Sequence, residues 1–77
     1  MEKYLIFKKT SETNREYVYY IQRNSTSTSD DIGNAIEFDN KELALSMAKF
    51  LTNRDNNNRK YYVLSMVTTI DVIESEN

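Results

Sequence analysis

Phe38-Asp39-Asn40-Lys41-Glu42-Leu43-Ala44-Leu45-Ser46-Met47-Ala48-Lys49-Phe50-Leu51 reads as one capped amphipathic helix. Asp39 is a favoured N-cap, and Glu42 stands three residues on, the spacing of a capping box. Phe38 and Leu43 take the places of a hydrophobic staple around that cap. Leu43, Ala44, Met47, Ala48, Phe50 and Leu51 recur at three- and four-residue spacing, which gathers an apolar stripe on one side. Lys41, Ser46, Lys49 and Asn53 fall largely on the other. The asparagine-rich run 53–59 stops the helix, because Asn tolerates the left-handed backbone that Gly otherwise supplies. A long β pattern follows over Lys60–Glu74. Tyr62, Leu64, Met66, Thr68, Ile70 and Val72 share one face of it, and Tyr61, Val63, Ser65, Val67, Thr69, Asp71 and Ile73 the other. That is long for a strand, so a bend near 65–69 or an overhanging end is expected.

Upstream, Lys3–Lys9 reads as a strand, with Leu5 and Phe7 pointing one way and Tyr4, Ile6 and Lys8 the other. The polar run 10–15 turns the chain into a second strand, Glu16–Arg23, and so short a connection predicts an antiparallel hairpin. Asn24–Asp31 has no apolar residue and is expected as a flexible polar loop. Ile32–Phe38 is a short extended piece that delivers Ile36 and Phe38 to the core, and Ser75–Asn77 is a frayed tail. The expected architecture is α+β over a single domain, 1–77. It is a three- to four-stranded, mostly antiparallel sheet in the order β-β-(β)-α-β, with one helix packed on one face.

Composition removes several chemistries. The 77 residues include no Cys and no His, which excludes disulfides, a thiol nucleophile, an imidazole base and a conventional zinc site. The only Gly, Gly33, cannot build a phosphate-cradling loop. Asp30-Asp31 and Asp55-Asn-Asn-Asn58 are better read as solvated turns than as metal handles, since a metal needs more converging oxygens. The expectation is a protein that is not an enzyme, with no cofactor, no metal and no small-molecule substrate. A net charge of −2 argues against duplex DNA or an acidic membrane as the main partner. The first residues lack the pattern of a signal peptide, and no run is long and apolar enough for a membrane span. A cytoplasmic location is therefore expected. So small a core is marginal, and of the usual supports only oligomerisation is left, which points to a homodimer.

One surface then asks for an explanation. If Leu5, Phe7, Val18, Tyr20, Leu64 and Met66 face the helix, the opposite side carries Tyr4, Ile6, Tyr17, Tyr19, Ile21, Tyr61, Val63 and Val67. That face is too aromatic to be left to water. It suits self-association, through the face or the edge of the last strand, as in a structural homo-oligomeric subunit, or a foreign protein, with Tyr17, Tyr19, Ile21, Tyr61 and Val63 as candidate partner-binding residues. A competing reading is single-stranded nucleic acid, with bases stacked on the tyrosines and phosphates tracked by Arg15, Arg23, Arg59 and Lys60. The bland alternative is that the rings lie flat on the sheet and pack across strands.

The helix stretch Phe38–Leu51, followed by Tyr61-Tyr-Val-Leu-Ser-Met-Val67 and a hydrophobic tail, resembles small uncharacterised proteins of phages and prophages of Gram-positive bacteria. In those, a hairpin leads to an F-x-(S/T/D/N)-x-E-x-A helix and a final strand. The resemblance implies an accessory phage product that acts in the host cytoplasm by binding a host protein, such as an inhibitor of replication or of antiviral defence. It carries over no site residues.

Overall fold

Alternating side chains over Glu2–Lys9 make strand β1, and Arg15–Ile21 makes β2. Thr26–Ser29 is β3, and a single 3-10 turn, Ile32–Asn34, leads toward helix α1, Lys41–Arg54. Tyr61–Val67 is β4. The computed structural model describes residues 2–67; the expected continuation of the last strand to Glu74 and the tail 75–77 lie outside them. The described strands form one antiparallel sheet in the order β3-β2-β1-β4 beside one helix, the α+β architecture expected. β1 lies in the interior of the sheet and pairs with β4 from Glu2↔Val67 to Lys8↔Tyr61.

The third strand is not where the sequence suggested. Ile32–Phe38 is a turn and a bridge, whereas Thr26–Ser29, within the expected loop 24–31, pairs with β2. The cause is long-range. The Arg54 guanidinium donates to the carbonyls of Gln22 (2.9 Å), Arg23 (2.8 Å) and Ser25 (2.7 Å) and to the Thr26 hydroxyl (2.7 Å). One side chain at the helix end thus fixes the β2–β3 turn, and Thr28 adds a hydrogen bond to Glu16 at 2.6 Å. The segment after the 3-10 turn wedges between strands: Ile36 N–H bonds Val18 O on β2, and Phe38 exchanges backbone bonds with Tyr4 on β1. Ile36 and Phe38 do pack on the core, as expected.

The helix also starts one residue later than expected. Asn40 is the N-cap, its Oδ1 accepting from Leu43 N–H at 3.0 Å, while Asp39 pairs with the ammonium of Lys3. The Asp39–Glu42 box and the Phe38–Leu43 staple are therefore not formed, and Leu43 stands 54% exposed. Asn40→Ala is expected to cost about 1 kcal/mol in urea unfolding, and Asp39→Ala less, because an exposed ion pair contributes little. At the other end Thr52 Oγ1 donates to Ala48 O and accepts from Tyr61 N–H, both at 2.9 Å, which ties α1 to β4. Asn58 takes the left-handed conformation in the connection, at φ 59°.

Val18 of β2 faces the helix as expected, but β1 and β4 present to it the set opposite to the one expected, because Phe7 pairs with Tyr17 and so lies on the face away from Val18. Ile6, Val18 and Tyr61 are buried with Ala48 and Leu51 of α1, and Ile21, Val63 and Met47 pack against them. Alternation sorted β1 and β4 correctly into two sets, since Ile6 pairs with Val63 and Leu5 with Leu64. It is the other set that meets the helix. On β2 a bulge resets the alternation: pairing with β3 passes from Val18↔Thr28 to Tyr20↔Ser27, leaving Tyr19 as the extra residue. Ile21 thereby returns to the face of Val18, and Tyr20 is turned out to solvent.

Candidate functional site

The sheet face away from α1 holds an aromatic row. Phe7 sits on interior strand β1, paired with Tyr17 on β2 and Tyr62 on β4, so all three rings share a side. Phe7 and Tyr62 stack with centroids 5.4 Å apart and planes 23° from parallel. Phe7 and Tyr17 are tilted by 54° at 6.3 Å. Three cations lie on these rings: the Arg15 guanidinium 4.5 Å from the Phe7 centroid, and Lys9 and Lys60 at 5.8 and 5.5 Å from that of Tyr62. Each contact is a cation–π attraction of modest size at an exposed site. Leu5, which is fully buried, and Leu64 continue the row along the same face. Phe7 is 7% exposed and Tyr62 37%, so the centre of the row is packed and its flank is open.

The residues singled out from sequence divide accordingly. Tyr17, Arg15 and Lys60 belong to this row. Tyr19, at the bulge, is exposed. Ile21, Tyr61 and Val63, expected on the outer face, pack instead on the core beneath α1. Arg23 lies in the β2–β3 turn, where its carbonyl accepts from Arg54. Arg59 lines a polar cleft with Lys8, Ser25, Arg54 and Tyr61. Neither arginine reaches the aromatic row. Phe7, Lys9 and Tyr62 are not among the residues the sequence singles out, because alternation alone puts their set under the helix; an aromatic residue on each of two β patterns is the signal that could find them.

The described charged side chains near the row serve packing and turns. Among the described residues no charged or polar side chain is buried, and no three His, Cys, Asp or Glu side chains converge as a metal set. Asp31 accepts from Gly33 N–H at 2.9 Å and caps the 3-10 turn. Asp55 accepts from Asn57 N–H at 2.9 Å and shapes the turn after α1. Burial pushes the Tyr61 hydroxyl above the usual tyrosine range, with nearby Asp55 adding to it. Hydrogen bonds from Tyr4 (2.8 Å) and Ser65 (3.0 Å) hold the Glu2 carboxyl below its ordinary value. These shifts accompany packing and surface pairing rather than a cleft with a substrate. No described helix is long and apolar enough to cross a membrane.

Fold and face together define a small α+β domain with one side of its sheet under the described helix and the other side aromatic and cation-rimmed, closed at Leu5 and Phe7 and open at Tyr62. Compared with models of known protein families, with curated proteins and with solved structures, the chain matches none.

Proposed function

We propose that this chain is a non-enzymatic protein-binding module that docks through its open sheet face. In keeping with the resemblance of its helix-and-strand stretch to small phage proteins, the partner is a host factor of replication or antiviral defence, bound in the host cytoplasm and inhibited. The observation that carries the reading is the Tyr17–Phe7–Tyr62 row on a face without a covering helix. Rigid aromatic side chains bury much area at small entropic cost, and a rim of arginine and lysine supplies direction. Tagged protein is expected to retain one species from a Gram-positive lysate, and a Tyr17→Ser/Tyr62→Ser variant to retain at least about tenfold less of it, a loss typical of interface anchors. Equal retention by the folded variant would remove the reading.

A second reading, single-stranded nucleic acid, has one observation in its favour: Arg15, Lys9 and Lys60 stand beside the rings. Against it, the Arg15 guanidinium already occupies the ring of Phe7, which leaves little face for a base. Titration with a labelled oligonucleotide at low salt, where the electrostatic part of binding is strongest, is expected to show no binding.

A further inference from the structure

We infer that β4 pairs edge to edge with the β4 of a second copy of this chain, making one sheet continuous through a twofold dimer. Among the described residues β4 has a neighbour, β1, on one side only. Its other side meets no other described strand, and the backbone N–H and C=O groups of a sheet edge are satisfied with water or with another strand. Natural edges are guarded by charge, proline, bulges or short length. The other edge of this sheet obeys that rule: β3 is four residues of Thr and Ser. β4 breaks it, for Tyr61-Tyr-Val-Leu-Ser-Met-Val67 has no charge and no proline over seven residues.

Both faces of β4 are apolar, with Tyr62, Leu64 and Met66 on one and Tyr61, Val63 and Val67 on the other. That pattern belongs to a strand covered on both of its faces. Yet Val67 is 64% exposed. Beside the edge runs a groove with an apolar floor of Leu45, Ala48, Tyr61 and Val63, rimmed by Lys49 and Lys60, with Leu45 of α1 facing solvent.

A second copy fits this edge by its own chemistry. Antiparallel pairing about the midpoint Leu64 sets Tyr62 opposite the partner's Met66 and Tyr61 opposite the partner's Val67. Among the paired residues Tyr61–Val67 no charges of like sign meet, because they hold none. The two α1 helices then lie on the same side of the joined sheet, and the exposed Leu45 of each is turned toward the seam. An isologous contact of this kind closes at two copies. It also enlarges the core of a chain with only 77 residues.

Sedimentation of the full chain from low to high micromolar concentration tests the pairing. The wild type is expected to reach dimer mass and stop there. Ser65→Lys places a guarding charge on the edge, and Leu45→Glu places one beside the groove. Each is expected to weaken the dimer at least about tenfold, or 1.4 kcal/mol, with the circular dichroism of the fold retained; Leu45 is exposed in the monomer, so its variant folds without the partner. Tyr17→Ser is expected to leave the dimer intact, which separates this edge from the open face. A wild type that stays monomeric at every concentration overturns the pairing. So does a dimer that Tyr17→Ser breaks and both edge variants leave unchanged, or an assembly that grows past two copies.

Discussion

Tyr61→Ser is expected to cost about 3 kcal/mol, the usual cost of removing a buried ring, whereas Tyr62→Ser, one position on, costs no more than about 1 kcal/mol, the scale of one aromatic pair. The two residues are neighbours of the same type, but they lie on opposite faces of β4. Tyr61 is 8% exposed and packs with Ile6, Val18 and Leu51. Tyr62 stacks on Phe7 with its outer side in solvent. Urea unfolding of the two variants reads the difference directly. A pH series gives an independent check. Because burial raises the folded-state pKa of Tyr61, its stabilising share is complete below the unfolded tyrosine value of about 10 and is lost as pH rises through the folded value. Tyr61→Phe is expected to flatten that alkaline loss without abolishing it. The hydrogen bond to Glu2 raises the Tyr4 hydroxyl in the same direction.

Arg54→Ala is expected to cost about 2 to 3 kcal/mol, the range for hydrogen bonds from a charged donor. Its guanidinium bonds three carbonyls and a hydroxyl of the β2–β3 turn and lies 5.0 Å from the Phe50 ring centroid. Without it, the serine and threonine of β3 have little apolar surface to hold them on β2. Amide exchange over Thr26–Ser29 is therefore expected to rise more than exchange in β1. Arg54→Lys recovers only part of the loss, because an ammonium cannot span the same set of acceptors. Equal protection of β3 in wild type and Arg54→Ala would show that the turn stands without the clamp.

The elements themselves were legible. A helix ending in an asparagine-rich turn, a hairpin before it and a β-rich run after it follow from periodicity and turn chemistry, and the four-stranded antiparallel sheet with one helix bears them out. What escaped were relations between distant residues. Alternation divides β4 into two sets, but with both sets apolar it cannot say which one meets the helix. The bulge at Tyr19 has no Gly to announce it, so Ile21 was placed on the wrong side. Asp39 and Asn40 are equally good caps by type, and Lys3, from the far end of the chain, takes Asp39. The strand at 26–29 depends on Arg54, some thirty positions away, as its hydrogen bonds to the turn show. The candidate site suffered most, because it was defined by the one choice that local pattern leaves open. Tyr17, Arg15 and Lys60 survive on the open face, while Phe7, Lys9 and Tyr62 replace the residues now under the helix.

The central claim is that α1 covers the Ile6–Val18 side of the sheet and not the Phe7–Tyr17 side. Proton–proton Overhauser contacts from the methyl groups of Ala48 and Leu51 test it most directly. Contacts to Ile6 and Val18, with none to the rings of Phe7 and Tyr17, are predicted. Contacts to the Phe7 and Tyr17 rings, with Ile6 silent, would contradict it.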